Sequence, residues 1–285
     1  MNRAIINPAT GLVIREIADS TTQEVDKSIS RALAAFTPWS ELTPGERSKK
    51  ILDYADLLEK HADENCELEV SETGKPWSTM RDGEFPFGLD NLRFFAGAAR
   101  SLDGTGAGSF NHGYTSLLVR KPVGVIGSIS PWNFPFIMAI WKIGPALAAG
   151  NTVVIKPAPQ TPSSTIKLIE LAKQIFAPGT IEVILGDAEV AQQLVKDPRI
   201  SMVSITGSSD SGRKVMQAAS ETTKRVHLEL GGKAPVIVRE DADLSQVAQA
   251  ISLACTYNSG QDCTAATRIY AHHSVVKDLE KLMKQ

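Results

Sequence analysis

Two residues of this 285-residue chain carry the strongest hint of covalent chemistry. Cys263 ends the run Asn258-Ser259-Gly260-Gln261-Asp262-Cys263, and Glu229 sits in His227-Leu228-Glu229-Leu230-Gly231-Gly232-Lys233. A cysteine after a polar, glycine-containing turn is a nucleophile where it has thiolate character, access and an oxyanion hole beside it. A lone carboxylate in an apolar run has its pKa raised, which suits a general base. The same Glu229 reads equally well as an exposed glutamate at a strand end. Asn133, clamped in Ser130-Pro131-Trp132-Asn133-Phe134-Pro135, offers amide donors suited to an oxyanion. Its plainer reading is a turn asparagine bonded to its own backbone. Cys255, in an apolar run, and Cys66, in a charged helix, read as structural.

Two more segments suit a nucleotide. In Met202-Val203-Ser204-Ile205-Thr206-Gly207-Ser208-Ser209-Asp210-Ser211-Gly212 a buried strand ends in small residues where a helix starts. Such a start presents free N–H groups, and glycine lets a phosphate approach; an ordinary serine N-cap is the alternative. Lys156, at the end of Val153-Val154-Ile155 and before Pro157, stands where a ribose or phosphate could be held, or is a surface lysine. Gly104-Thr105-Gly106-Ala107-Gly108 lacks the flanking strand and helix of a dinucleotide fingerprint and reads as loop, as does Gly104 to Gly113.

These residues need a scaffold, and the apolar pattern supplies one. Up to about residue 100 the chain reads as helices, opened by capping boxes at Ser20-Thr21-Thr22 with Glu24 and at Thr43 with Glu46. A third helix stops near Gly74-Lys75-Pro76, and a fourth covers about 85–100. Beyond residue 115, the runs 123–129, 152–155, 181–185, 202–205 and 236–238 read as strands, with a further one at 226–230. Helices near 136–149, 163–176, 187–197 and 209–220 lie between them. That alternation predicts an α/β fold with a doubly wound parallel sheet.

Composition narrows the function classes. With 30 Lys+Arg against 32 Asp+Glu, the net charge of −2 gives no footprint for nucleic acid or anionic lipid. Three scattered cysteines make no disulfide framework and fit a reducing compartment. No metal-ligand set is evident. The start lacks the apolar stretch of a signal peptide, and the longest apolar region, 134–149, is interrupted by Lys142 and Pro145. A cytoplasmic protein is expected, with no membrane partner.

Taken together the segments resemble the aldehyde dehydrogenase superfamily. The resemblance rests on Asn7-Pro8-Ala9-Thr10-Gly11, Pro131-Trp132-Asn133-Phe134-Pro135, Gly150-Asn151-Thr152, Lys156-Pro157, Thr206-Gly207-Ser208, Glu229 to Lys233 and Gly260-Gln261-Asp262-Cys263. Within it, Arg93 to Arg100 and Asn258 to Arg268 look like the aminoaldehyde branch, near γ-aminobutyraldehyde and betaine aldehyde dehydrogenases. The resemblance implies that Cys263 attacks an aldehyde and that its backbone N–H and Asn133 hold the oxyanion. Hydride transfer to a nicotinamide follows, and Glu229 activates the hydrolytic water. It places Lys156 at the adenine-side ribose, Gly207, Ser208 and Gly212 near the pyrophosphate, and Pro131 and Trp132 in the cofactor site. Phe134, Met138 and Trp141 fall at positions of the aldehyde tunnel, with Asp262 beside the nucleophile to favour a cationic aldehyde. Pro159 stands where many NAD-preferring relatives carry a glutamate, so NAD is expected with NADP left open.

The resemblance also implies a Rossmann-like cofactor-binding domain over 1–230, with N-terminal helices at about 20–100, a pairing strand at about 114–121 and the sheet at about 122–230. Residues 231–285 are then only the opening of a catalytic domain, and the usual N-terminal strands are reduced. Full-length relatives are homo-oligomers. Two alternatives stand beside an active dehydrogenase: a truncated, inactive chain that only binds cofactor, and a thiol-dependent esterase without nicotinamide. A truncated chain is expected to expose an apolar surface and to turn over weakly.

Overall fold

A computed structural model describes residues 2–102, 104 and 106–284. It opens on a hairpin that the sequence pattern does not announce: β1 (Asn2–Ile6) pairs antiparallel with β2 (Val13–Ala18). Within the pair only Ile5 is buried, so the apolar alternation that marks a strand is missing. Helices α1 (Thr22–Ser40), α2 (Pro44–Lys60), α3 (Ala62–Thr73) and α4 (Phe85–Ala98) follow, with a π-helical turn over Thr79–Glu84 before α4. Both capping boxes form, Thr21 with Glu24 and Thr43 with Glu46. Helix α3 ends on Gly74 at φ +71°, the left-handed cap expected there.

The stretch read as a glycine loop is strand over β3 (Ala107–Asn111), which pairs with β4 (Tyr114–Leu117); Thr105 lies outside the described residues. His112-Gly113 closes this hairpin, with Gly113 at φ +80°. A two-residue turn is therefore what Gly113 serves, while Gly108 lies within β3. Both strands are largely exposed, so no apolar pattern marks them.

The centre of the molecule alternates as expected: β5 (Val125–Ile129), α5 (Pro135–Ala148), β6 (Thr152–Lys156), α6 (Ser163–Ala172), β7 (Ile181–Val183), α7 (Ala188–Lys196), β8 (Ile200–Gly207), α8 (Ser209–Ser220) and β9 (Arg225–Leu230). The strands form one parallel sheet in the order β7-β6-β5-β8-β9. β5 and β6 are buried throughout, because helices cover both faces, and this is why they read as unbroken apolar runs. One core joins α5 and α6 to α2 and α4 through Phe136, Ile140 and Leu92. The other joins α1, α7 and α8 through Ile29, Leu194 and Val215.

The strand expected at 236–238 does not enter this sheet. After β9 the chain forms β10 (Ala234–Val238), α9 (Leu244–Thr256), β11 (Ala266–Ala271) and α10 (Val276–Met283). β10 and β11 pair in parallel as a sheet of two, over a small core of Val238, Ile251 and Leu279. Ile237, Leu253 and Tyr270 of this unit are exposed. Among the described residues no helix is long and apolar enough to cross a membrane.

Gly150-Asn151 joins α5 to the sheet. Gly150 takes φ +83°, and a Cβ there would stand 2.8 Å from Pro122 Cγ, so only glycine fits the turn. The buried Asn151 side chain accepts from Val123 N (2.7 Å) and Gly124 N (3.1 Å), and its Nδ2 donates to Ala146 O (3.2 Å). One amide therefore pins the end of α5 to the entry of β5. Asn151→Ala strands two backbone donors, at about 1–3 kcal/mol each. Urea unfolding should show a loss of about 2–4 kcal/mol at unchanged m-value, whereas a loss below about 1 kcal/mol would mean that water replaces the amide.

Candidate active site

In an open parallel sheet, the chain reversal between adjacent strands leaves a crevice at their carboxyl ends. Here the reversal lies between β5 and β8. The turn Ser130–Phe134 follows β5, Lys156 closes β6 and Gly207-Ser208 follows β8. A cleft of about 580 Å³ opens above them. Pro131, Trp132, Asn133, Phe134, Met138, Lys156, Gly207, Ser208, Glu229, Asp262 and Cys263, scattered along the sequence, all line it.

Two expected residues do not line it. Trp141 shares a helical stripe with Phe134 and Met138, but stands about 10 Å beyond Phe134 along α5 at 1.5 Å per residue. It packs edge-on against Phe87, with ring centroids 6.3 Å apart. Gly212 lies inside α8, where a Cβ would come within 2.7 Å of Leu230 Cδ1. Its job is close packing of helix on strand.

Cys263 follows an unusual turn. Asn258 (φ 52°), Ser259 (φ 57°) and Gly260 (φ 75°) are all left-handed, a conformation that costs roughly 1–2 kcal/mol for each non-glycine residue. Side-chain bonds offset that strain. Asn258 Nδ2 donates to Asn133 O (2.9 Å) and Gln261 O (3.1 Å), and Ser259 Oγ to Gly74 O (3.1 Å). Gln261 Nε2 donates to Thr73 O (3.1 Å) and Asn258 O (3.1 Å). Asn133 Nδ2 donates to Gln261 O at 2.8 Å. Its amide thus faces the cysteine turn and not its own backbone, which removes the plainer reading of this residue. Asn258 is buried and was not singled out by sequence; its signal was an asparagine at a turn, which is too common to notice.

The Cys263 thiol is half-buried. Burial pushes its pKa up, and the nearby carboxylates of Asp262 and Glu229 push in the same direction, so it rests as a thiol. Asp262 also shapes the turn, its Oδ1 accepting from Thr264 N and Thr264 Oγ1, both at 2.8 Å. Glu229 corrects an expectation. β9 is the edge strand of the sheet, its alternate residues Arg225, His227 and Glu229 are exposed, and the apolar surround inferred from the flanking leucines is not there.

Two lysines are buried in this region, Lys156 on the cleft and Lys142 in α5 behind it. Lys156 Nζ donates to Pro157 O (3.0 Å) and Gly186 O (2.8 Å), which leaves one of its three donors for a ligand. Burial pushes its pKa down to about 8. It stands where the main cleft meets a smaller apolar lobe of about 270 Å³ between α7 and α8, lined by Ala191, Val195 and Val215. Lys142 Nζ donates to Ser204 Oγ (2.9 Å), which in turn contacts His227 Nδ1 (3.0 Å). Burial lowers it to about 8 against the pull of Glu229. Its signal was in view, a single lysine in the apolar run 134–149. Ser130 Oγ, buried at the cleft, has no hydrogen-bond partner among the described residues. Among those residues no cluster of His, Cys, Asp or Glu could hold a metal ion.

Asp262→Asn removes one of the influences that keep Cys263 protonated. In a Cys255→Ser background, iodoacetamide should alkylate Cys263 about three- to tenfold faster near neutral pH, with the midpoint of the rate–pH curve moved down by about half to one unit. An unmoved midpoint would show that Asp262 acts only on the turn.

Comparison with known proteins agrees with this geometry. A sequence profile of the aldehyde dehydrogenase family matches residues 2–285. A betaine aldehyde dehydrogenase of Vibrio vulnificus is 39% identical over 285 residues, covering 99% of this chain and 58% of that protein. A mitochondrial succinate-semialdehyde dehydrogenase of Arabidopsis thaliana is 40% identical over 271 residues, covering 94% and 51%. Among solved structures, betaine aldehyde dehydrogenase from Staphylococcus aureus in complex with NAD+ superposes with a TM-score of 0.96 at 33% identity, over 99% of this chain and 57% of that one. The chain therefore spans about 58% of the length of relatives such as the Vibrio protein. On the breadth of these matches, the chain belongs to the aldehyde dehydrogenase family.

Proposed function

We propose that this chain takes part in oxidation of an aldehyde to its carboxylic acid with NAD(P), through a covalent intermediate on Cys263. The observation that carries the reading is the Asn133–Gln261 bond, which aims a half-buried amide at the cysteine turn on the same cleft as Lys156 and Gly207. A long cleft with an apolar lobe at one end, a lysine at its waist and a helix start on its floor suits a dinucleotide. The free hydroxyl of Ser130 and the third donor of Lys156 suit its hydroxyl and phosphate oxygens. The S. aureus relative is described in complex with NAD+.

In this reading Glu229 or solvent takes the Cys263 proton as Sγ adds to the carbonyl carbon. Asn133 Nδ2 and the Cys263 N–H donate to the oxygen that becomes negative. Bound nicotinamide supplies the hydride acceptor that leaves a thioester on Cys263. Glu229, exposed and so in reach of solvent, draws a proton from water as its oxygen attacks the thioester, releasing the acid and the free thiol. An aminoaldehyde is the substrate we favour, since Asp262 and the Phe134 ring at the cleft attract a cation. With Pro159 bordering the ribose end, no carboxylate at that position opposes a 2′-phosphate, so NADP enters the same reading. A cytoplasmic location and self-association through the exposed β3–β4 hairpin belong to it too.

A second reading is favoured by exposed surface. Glu229 at the cleft is exposed, and so are the apolar residues Ile237 and Tyr270 of the separate β10–β11 sheet, as they would be in a chain that binds cofactor but does not turn over. Calorimetry and absorbance separate the two. NAD should bind the wild-type chain, and Lys156→Met should weaken binding about tenfold, or about 1.4 kcal/mol. Unchanged affinity would overturn the cofactor assignment. NADH formation from 4-aminobutanal that Cys263→Ser abolishes supports the dehydrogenase, while binding without turnover supports the second reading.

A further inference from the structure

We propose that Lys75 is a positioning residue for the candidate oxyanion site: its buried ammonium, gripped by Glu69 and Glu84 beside the end of α3, sets the spacing between Asn133 and the turn that carries Cys263. The proposal rests on reading Cys263 as the nucleophile, but its test needs no turnover.

Lys75 Nζ donates to Glu69 Oε1 at 2.8 Å and to Glu84 Oε2 at 2.7 Å, and its side chain is wholly enclosed. It lies 4.8 Å from the centroid of the Phe134 ring, within cation–π range. The other oxygen of Glu69 accepts from Phe136 N (2.9 Å) in the first turn of α5 and from Ser164 Oγ (2.7 Å). Negative charge at a helix N-terminus is stabilised there. The segment 133–136 is thus held at three points: Asn258 on the Asn133 carbonyl, Lys75 on the Phe134 ring, and Glu69 on the Phe136 amide.

The other half of the site hangs from the same few residues. The carbonyls of Thr73 and Gly74, directly before Lys75, accept from Gln261 and Ser259 of the cysteine turn. The last carbonyls of a helix have no partner within it, and here the turn supplies two. So the stretch 73–75 grips the cysteine turn with its backbone and the asparagine turn with its lysine.

The arrangement is costly, which argues for a function. Two carboxylates face one ammonium in the interior, and Glu84 Oε1 has no partner among the described residues. Burial pushes the Glu84 pKa up to about 7, Lys75 opposing and Glu69 reinforcing the shift. Burial works against the Lys75 ammonium too, but the two carboxylates outweigh it and hold its pKa above the ordinary lysine value. Neutral residues of like size are often as stable as such a buried group or more so.

The test uses Cys263 alkylation by iodoacetamide in the Cys255→Ser background, beside the NMR resonance of the Asn133 side-chain amide. The Cys263 thiol is shifted chiefly by burial, Asp262 and Glu229, so a rate change on altering Lys75 reports position. Lys75→Met alone leaves two unneutralised acids and can fail to fold. The neutral triple variant Lys75→Met, Glu69→Gln, Glu84→Gln removes that difficulty. We expect it to fold, to alkylate about fivefold faster than its parent and to move the Asn133 resonance. Lys75→Arg should stay within about twofold of the parent, because it keeps the cation. A folded triple variant with the parent's rate and resonance would overturn the proposal. So would an equal acceleration in Asn151→Ala, which is weakened far from the turn. Failure of NADH formation in the parent bears only on the dehydrogenase reading and leaves this comparison intact.

Discussion

The carbonyl of Gln261 is the point on which the site depends. It accepts from Asn133, which belongs to the doubly wound sheet, and from Asn258, which belongs to the segment after it. That later segment has its own small core, and beyond Tyr257, which packs against the core over the sheet, polar bonds hold its turn in place. Directional bonds suit this task better than apolar contact, since a hydrogen bond weakens steeply when misaligned. A nucleophile and an oxyanion donor must agree in position to a fraction of an ångström, and a greasy contact between two cores would not define that.

Buried charge is the second theme. Lys75, Lys142 and Lys156 each lie in the interior, and each meets a different solution to the cost of being there. Lys75 has two carboxylates, and Lys156 has two backbone carbonyls. Lys142 has one serine hydroxyl backed by a histidine, with the Glu229 charge at longer range. Only the fully paired one keeps its pKa above the normal lysine value; the other two are pulled down to about 8. Pairing, rather than depth, decides the direction in which the pKa moves.

Much of this was legible from residue order. Apolar runs located β5 and β6 because strands covered on both faces leave them unbroken, and alternation marked the edge strand β9. Capping boxes announced α1 and α2 because threonine and glutamate three apart have a local, reciprocal geometry. The motifs around Asn133, Lys156, Gly207, Glu229 and Cys263 line one cleft, four of them at or just past a strand end and Cys263 after a polar turn. Other features depend on tertiary neighbours and leave no local trace. The hairpins β1–β2 and β3–β4 are mostly exposed, so no apolar alternation marks them. Glu229 is set among leucines in the chain but stands on an edge strand in space. Trp141 shares the helical stripe of Phe134 and Met138 on α5, but its ring packs on Phe87 outside the cleft. Asn258 reaches Asn133 across 125 residues of sequence, and Lys75 reaches the Phe134 ring across 59 (134 minus 75), farther than a local window along the chain spans.

The crevice between β5 and β8 has a further consequence. The crossovers on the two sides of the reversal leave the sheet on opposite faces, α5 and α6 on one and α7 and α8 on the other, so the two walls of the cleft are rooted in separate cores. Phe134 and Met138, toward Cys263, belong to the core shared with α2 and α4. Val195 and Val215, around the apolar lobe, belong to the core shared with α1. Only a sheet one strand thick lies between them. The two ends of the cleft are therefore lined from different cores, so a substitution in one core bears first on one end of the cleft.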